Sequence, residues 1–194
     1  MTDRAPLRTA AASTTIAILA ILVLAADQFA KHLVLTSLPP ETPVPVLGEA
    51  LQWYLILNAG AAFSIGEGVT WVFTIALALV ACGIVWLALT RVRSRVWAVV
   101  LGLLLGGVLG NLTDRLFREP GFAVGHVVDF ISTPWMMPAI YNVADVFIVC
   151  SMITIAALTL FGLALDGSGR KTAAEAAAEQ VADEAAAADS PREP

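Results

Sequence analysis

Four long stretches of the chain carry few polar side chains: Ser13 to Leu35, Val69 to Leu89, Val96 to Phe117 and Val143 to Leu165. A helix needs roughly 20 predominantly apolar residues to cross the hydrocarbon of a bilayer, so each stretch predicts a transmembrane helix. Together they define a membrane domain over residues 13–165, preceded by an N-terminus of residues 1–12. Two longer loops, 36–68 and 118–142, join spans one to two and three to four. In the first loop, prolines 39, 40, 43 and 45 lead into Leu47 to Asn58, which is aromatic and partly β-branched and predicts a short strand or two rather than a helix.

Composition supports this reading. Of the 194 residues 58% are hydrophobic and 14% charged, against about 25% charged in soluble domains, so lipid must cover part of the surface. The net charge of -5 misleads, because residues 166–194 hold seven acidic and three basic side chains and leave the rest almost neutral. That Ala-rich acidic tail lacks large apolar residues and is expected to stay disordered. Arg4 and Arg8 precede span one, Arg91, Arg93 and Arg95 crowd the link between spans two and three, and Arg170 and Lys171 follow span four, whereas residues 36–68 contain no Lys or Arg. The positive-inside rule then puts both termini in the cytoplasm and the two longer loops outside. The predicted fold is all-α: a four-transmembrane-helix bundle with a small extracytoplasmic β cradle. Arg4, Arg8, the apolar run from Thr15 to Leu24 and Ala25-Ala26 also resemble a cleavable signal peptide, but apolar character resumes at Phe29, Leu33, Val34 and Leu35. Cys82 and Cys150 fall inside spans without metal-ligand spacing and read as small buried apolar residues.

Charged groups within spans are costly and are functional candidates by default. Here Asp27 and Lys31 lie toward the outer end of span one, Asn111, Asp114 and Arg115 at that of span three, and Asn142 and Asp145 at the start of span four. Asp27 and Lys31 are four apart and can pair on one helix face, with Lys31 in a structural role. Gly102, Gly106 and Gly110 form a small-residue stripe that lets another helix approach closely, and Asp114 continues it by one turn. Asn142 followed by Asp145 reads as a helix cap in addition to any other role. Arg115, with five fixed donors, could hold loops, orient a substrate carbonyl or orient a carboxylate.

That leaves Asp129, flanked by Val127, Val128, Phe130 and Ile131, as a second acid held against membrane or core. Two aspartates brought together divide the labour of hydrolysis: an ionised one takes a proton from water while a protonated one polarises a carbonyl. His126 could tune Asp129 but reads more simply as a solvated loop histidine. The chain contains no HExxH, GxSxG or P-loop, and no metal, cofactor or nucleic acid is called for. Asn58-Ala59-Gly60-Ala61-Ala62-Phe63 is too rich in small residues for ordinary core, and Gly60 permits close backbone approach. A small outer sheet there could cradle a peptide by strand addition. Trp135 reads as an interfacial anchor or, less simply, a gate.

Five of these segments, in order, resemble the lipoprotein signal peptidases (signal peptidase II). Asp27-Gln28-Phe29-Ala30-Lys31 is similar to that family's Asp-Gln-x-x-Lys, and Asn58 through Phe63 to its Asn-x-Gly-Ala-Ala-Phe. Gly106, Gly107, Gly110, Asn111, Asp114 and Arg115 match Gly-Gly-x-x-Gly-Asn-x-x-Asp-Arg, Val127 to Phe130 the loop motif, and Tyr141-Asn142-Val143-Ala144-Asp145 the Phe-Asn-x-Ala-Asp block with Tyr for Phe. The resemblance implies a catalytic pair of Asp129 and Asp145, with Asp27, Asn58, Gly60, Asn111, Arg115 and Asn142 lining the site and Lys31 and Asp114 supporting it. It implies a lipid-modified prolipoprotein substrate, cut before its diacylglyceryl-bearing cysteine at the outer side of the bacterial inner membrane. Membrane lipid is a further partner, and a monomer is expected. From the residues alone, a small transporter or proton-conducting protein, or a noncatalytic scaffold on the glycine seam, stays open.

Overall fold

The computed structural model describes residues 9–60 and 69–168. Within them lie helices α1 (Thr9–Ser37), α2 (Thr70–Thr90), α3 (Arg95–Phe117) and α4 (Val143–Leu160), and strands β1 (Val44–Leu47), β2 (Leu51–Asn58), β3 (Val127–Thr133) and β4 (Met137–Tyr141). All four helices are long and apolar enough to cross a membrane. Arg4, Arg8, Ala61 to Phe63, Arg170, Lys171 and the remainder of the acidic tail lie outside the described residues.

α3 is the centre of the bundle. In its most apolar window 72% of residues are buried, against 22, 22 and 11% for α1, α2 and α4, so three helices surround one and turn their outer faces to lipid. Its Trp97, Ala98, Leu101, Leu104, Leu105 and Val108 pack with Ala12, Ile16 and Ala20 of α1 and Ala81, Ile84 and Ala88 of α2. The glycine stripe makes the closest contact. A Cβ on Gly102 would lie 2.9 Å from Leu19 Cβ, on Gly106 2.5 Å from Val23 Cβ, and on Gly110 2.6 Å from Asp27 Oδ2. α1 is therefore the helix admitted by the stripe, while Gly107 admits α4, with Ala144 O 2.6 Å from the same imagined atom.

The helices alternate in direction. Ser13 Oγ donates to Ala88 O, and Trp97 Nε1 to Leu163 O, joining the start of α1 to the end of α2 and the start of α3 to the segment after α4. α4 ends at Leu160, short of the expected Leu165, because the chain turns at Gly162 (φ 71) and Leu165 O accepts the N–H groups of Arg93 and Ser94. Cys82 and Cys150 are exposed rather than buried: with lipid outside, the outer face of a span is as apolar as its inner face, and hydrophobicity does not assign the side.

The opposite end carries one antiparallel sheet in the order β1-β2-β3-β4. β1 and β2 fall in the loop expected to be extended; β3 and β4 occupy what reads in sequence as loop 118–142. Alternation along β3 turns Val128 and Phe130 toward Leu55 and toward Ala30, Val34 and Leu38 near the end of α1. Val127 and Asp129 then face the other way.

Candidate active site

The site begins with the first turn of α4. Asn142 is its N-cap: Asn142 Oδ1 accepts from Asp145 N (3.0 Å), and Asp145 Oδ2 accepts from Asn142 N (3.1 Å), a reciprocal capping box. An asparagine cap has donors to spare. Its Nδ2 donates to Asp129 Oδ1 (2.7 Å) and to Asn111 Oδ1 (3.1 Å), so one side chain starts the helix and binds the two aspartates into one network.

Each carboxylate receives one donor per oxygen. Asp129 takes Asn142 on Oδ1 and Asn58 Nδ2 (2.8 Å) on Oδ2; Asp145 takes Asn111 Nδ2 (2.8 Å) on Oδ1 and the Asn142 N–H on Oδ2. The amide of Asn58 is itself oriented, since its Oδ1 accepts from Gly60 N (3.0 Å). Asp129 is almost fully buried. Burial first, and the charge of Asp145 second, push it up from 3.8 to about 7 against the opposing pull of Asn58, Asn142 and Lys31. A carboxyl group in that range holds a proton near neutrality, as one member of a pair that shares a proton must.

Both aspartates line a cavity of about 620 Å³ together with Asn58, Gly60, Asn111 and Arg115. The rest of its wall is largely apolar, including Phe73, Leu77, Val127, Met137, Ile140 and Val146. One polar end on an apolar cleft between α2, α4 and the sheet suits an amphiphilic ligand. Among the described residues, no three His, Cys, Asp or Glu side chains are grouped to hold a metal ion.

Arg115 builds the neighbouring wall. Its guanidinium donates to the carbonyls of Ala59 (2.8 Å), Gly125 (3.2 Å) and Gly60, and its charge lies 5.7 Å from the centre of the Phe73 ring. It holds the chain leaving β2 against the chain entering β3. Its buried Nε has no hydrogen-bond partner among the described residues.

Asp27 and Asn142, which the family resemblance places in the lining, do not contribute to the cavity wall. Asp27 is fully buried, with Oδ1 on Ala144 N (2.9 Å) and Oδ2 on Lys31 Nζ (2.9 Å). Lys31 continues to Asp114 Oδ2 (2.8 Å) and Asn111 Oδ1 (3.0 Å), and Asp114 also accepts from Val128 N (3.2 Å) and Arg118 Nε (2.6 Å). The expected pairing of Asp27 with Lys31 is thus one edge of a larger buried cluster. His126 is half-buried and its N–H donates to Glu119 O. Trp135 is exposed and its indole donates to Ala50 O (2.9 Å), tying the turns of the two hairpins together.

Sequence reasoning left several supports without a role. Gln28 donates to Asp27, Gly110 O and Asp114, each at 3.1 Å, and Thr70 and Thr74 donate to Ala59 O and Ala123 O, each at 2.7 Å. A polar residue beside Asp27 in a span was a visible signal; two threonines at the head of α2 were not, since threonine is common in transmembrane helices.

Fold and site together define a multi-pass membrane enzyme with a buried pair of carboxylates. A family model described as Signal peptidase (SPase) II matches residues 19–161. A lipoprotein signal peptidase of Leifsonia xyli subsp. xyli is 47% identical over 95% of this chain and 87% of its own length, and one of Mycobacterium avium is 46% identical over 79% of this chain and 82% of its own. Two solved structures, described as bacterial membrane enzymes determined by the in meso method, superpose with TM-scores of 0.67 and 0.65 at 28% identity, each over 76% of this chain and over 87% and 92% of theirs. The chain belongs to the signal peptidase II family and is an aspartic peptidase.

Proposed function

We propose that this chain removes the signal peptide from diacylglyceryl-modified prolipoproteins, cutting before the lipidated cysteine by attack of a water activated between Asp129 and Asp145. The observation that carries the proposal is that both carboxylates open onto one cavity while Asn142 joins them. The ionised member takes a proton from water, the hydroxide attacks the scissile carbonyl carbon, and the protonated member donates to the carbonyl oxygen. Collapse of the tetrahedral species breaks the C–N bond and returns a proton to the departing amine. Asn58, Gly60, Asn111 and Arg115 line the peptide side, and the apolar cleft takes the lipid-bearing side.

In this reading the site lies at the outer margin of the bacterial inner membrane and both chain termini are cytoplasmic. The arrangement is supported by Arg91, Arg93 and Arg95, which sit at the end of the bundle away from the sheet. The sheet forms an extracytoplasmic cradle, and the enzyme acts as a monomer. The deciding assay incubates purified protein in detergent with a prolipoprotein in lipid-modified and unmodified forms. A cut confined to the modified form supports the proposal; equal cutting of both, or of neither, overturns it.

A further inference from the structure

Lys31 is fully buried, lines no part of the cavity and spends each of its three donors on a different partner. Each partner leads to one of the paired aspartates. Asp27 holds the N–H of Ala144, the residue before Asp145. Asp114 holds the N–H of Val128, the residue before Asp129. Asn111 accepts from Lys31 on Oδ1, which turns its amide group toward Asp145 Oδ1. One ammonium in α1 therefore joins α3, the start of α4 and β3, elements far apart in sequence.

We infer that Lys31 is a positioning residue that sets the separation and orientation of Asp129 and Asp145 through Asp114, Asp27 and Asn111. A bare ion pair with Asp27 would neutralise a charge and nothing more. The branched arrangement instead ties the backbone beside both acids to a single point, so moving that point moves them relative to one another. The inference rests on the paired-aspartate mechanism proposed above.

Lys31→Met keeps the length of the stem and removes the ammonium. Measured per folded molecule, its kcat should fall by about 100-fold, the cost of a displacement near 1 Å in a reacting geometry, with KM within about threefold of wild type. Asn111→Ala spares both ion pairs of Lys31 and removes the third branch, together with the acceptor that Asn111 offers Asn142. The charged groups facing Asp145 are Lys31 and Asp27 from α1 and Asp129 from β3, and without the Asn111 donor the pH profile of kcat should depart from that of wild type. A folded Lys31→Met with wild-type kcat overturns the inference. Should that variant fail to fold, an unchanged pH profile in Asn111→Ala overturns it. Wild-type protein that cuts nothing would sink the mechanism itself, a result separable from either variant outcome.

Discussion

Position 142 must supply an acceptor for the Asp145 N–H and donors for Asp129 Oδ1 and Asn111 Oδ1, and asparagine combines the two. Serine keeps the acceptor and loses the amide donors. Asn142→Ser is therefore expected to stay within about 1 kcal/mol of wild type in unfolding, as interchangeable caps do, while kcat falls at least about tenfold; a parallel loss of both would mean that the residue only starts the helix. For Asp129 the sign of the pH effect follows from its elevation from 3.8 to about 7. Between those values the folded protein holds a proton that the unfolded chain has released, so stability declines as pH rises through the interval and is lowest above it. Thermal unfolding of wild type should shift down across about pH 4 to 7 and level off above it, and Asp129→Asn should lack that component. In the proposed mechanism activity needs one proton on the pair and should decline on the alkaline side as it leaves, the apparent midpoint belonging to both acids. The chemistry at this scale was visible in the sequence because charges in apolar surroundings are conspicuous. The separation of Asp27 from the cavity wall was not, since spacing along a helix gives the face of a side chain and not what stands between it and a ligand.

The helices were legible as elements because lipid demands long apolar runs, and for the same reason their faces were not. Cys82 and Cys150 were expected to be buried and are exposed, Cys150 at the cavity wall, because apolar character alone does not tell such faces from a packed one. The glycine stripe was the exception, because smallness marks contact where polarity cannot. Gly106→Ala would place a Cβ 2.8 Å from Ala20 O as well as against Val23, and should cost about 1 to 3 kcal/mol in unfolding from detergent by forcing α1 outward. Gly83 has nothing within 4 Å of such an atom and supplies the control, with no stability lost at Gly83→Ala. An equal effect at both positions would place the cost in the glycine backbone rather than the seam. β3 was hidden for another reason: Val127 to Ile131 is apolar on both faces of the strand, apart from Asp129, because one face meets α1 and the other the cavity. Period-two alternation, the usual sign of a strand, is erased when both faces are covered.

At the scale of the molecule, alternating helices separate two chemically distinct ends. One holds the sheet, the carboxylate network and the Lys31 cluster; the other holds Arg91, Arg93 and Arg95 beside the turn after α4. Transfer of arginines across a membrane is resisted during insertion, so the arginine end is expected to stay in the cytoplasm and the sheet to face outward. Single cysteines in a chain with Cys82 and Cys150 replaced by alanine test this directly. Exposed Glu49, between β1 and β2, should as Glu49→Cys react with a membrane-impermeant maleimide in intact cells, and exposed Arg93 should as Arg93→Cys react only after permeabilisation. The reverse pattern would put the paired aspartates at the cytoplasmic face. That outcome would leave the fold and the family untouched while removing the outer-leaflet site, because a lipid-anchored peptide exported across the membrane would then present its scissile bond at the wrong end of the bundle.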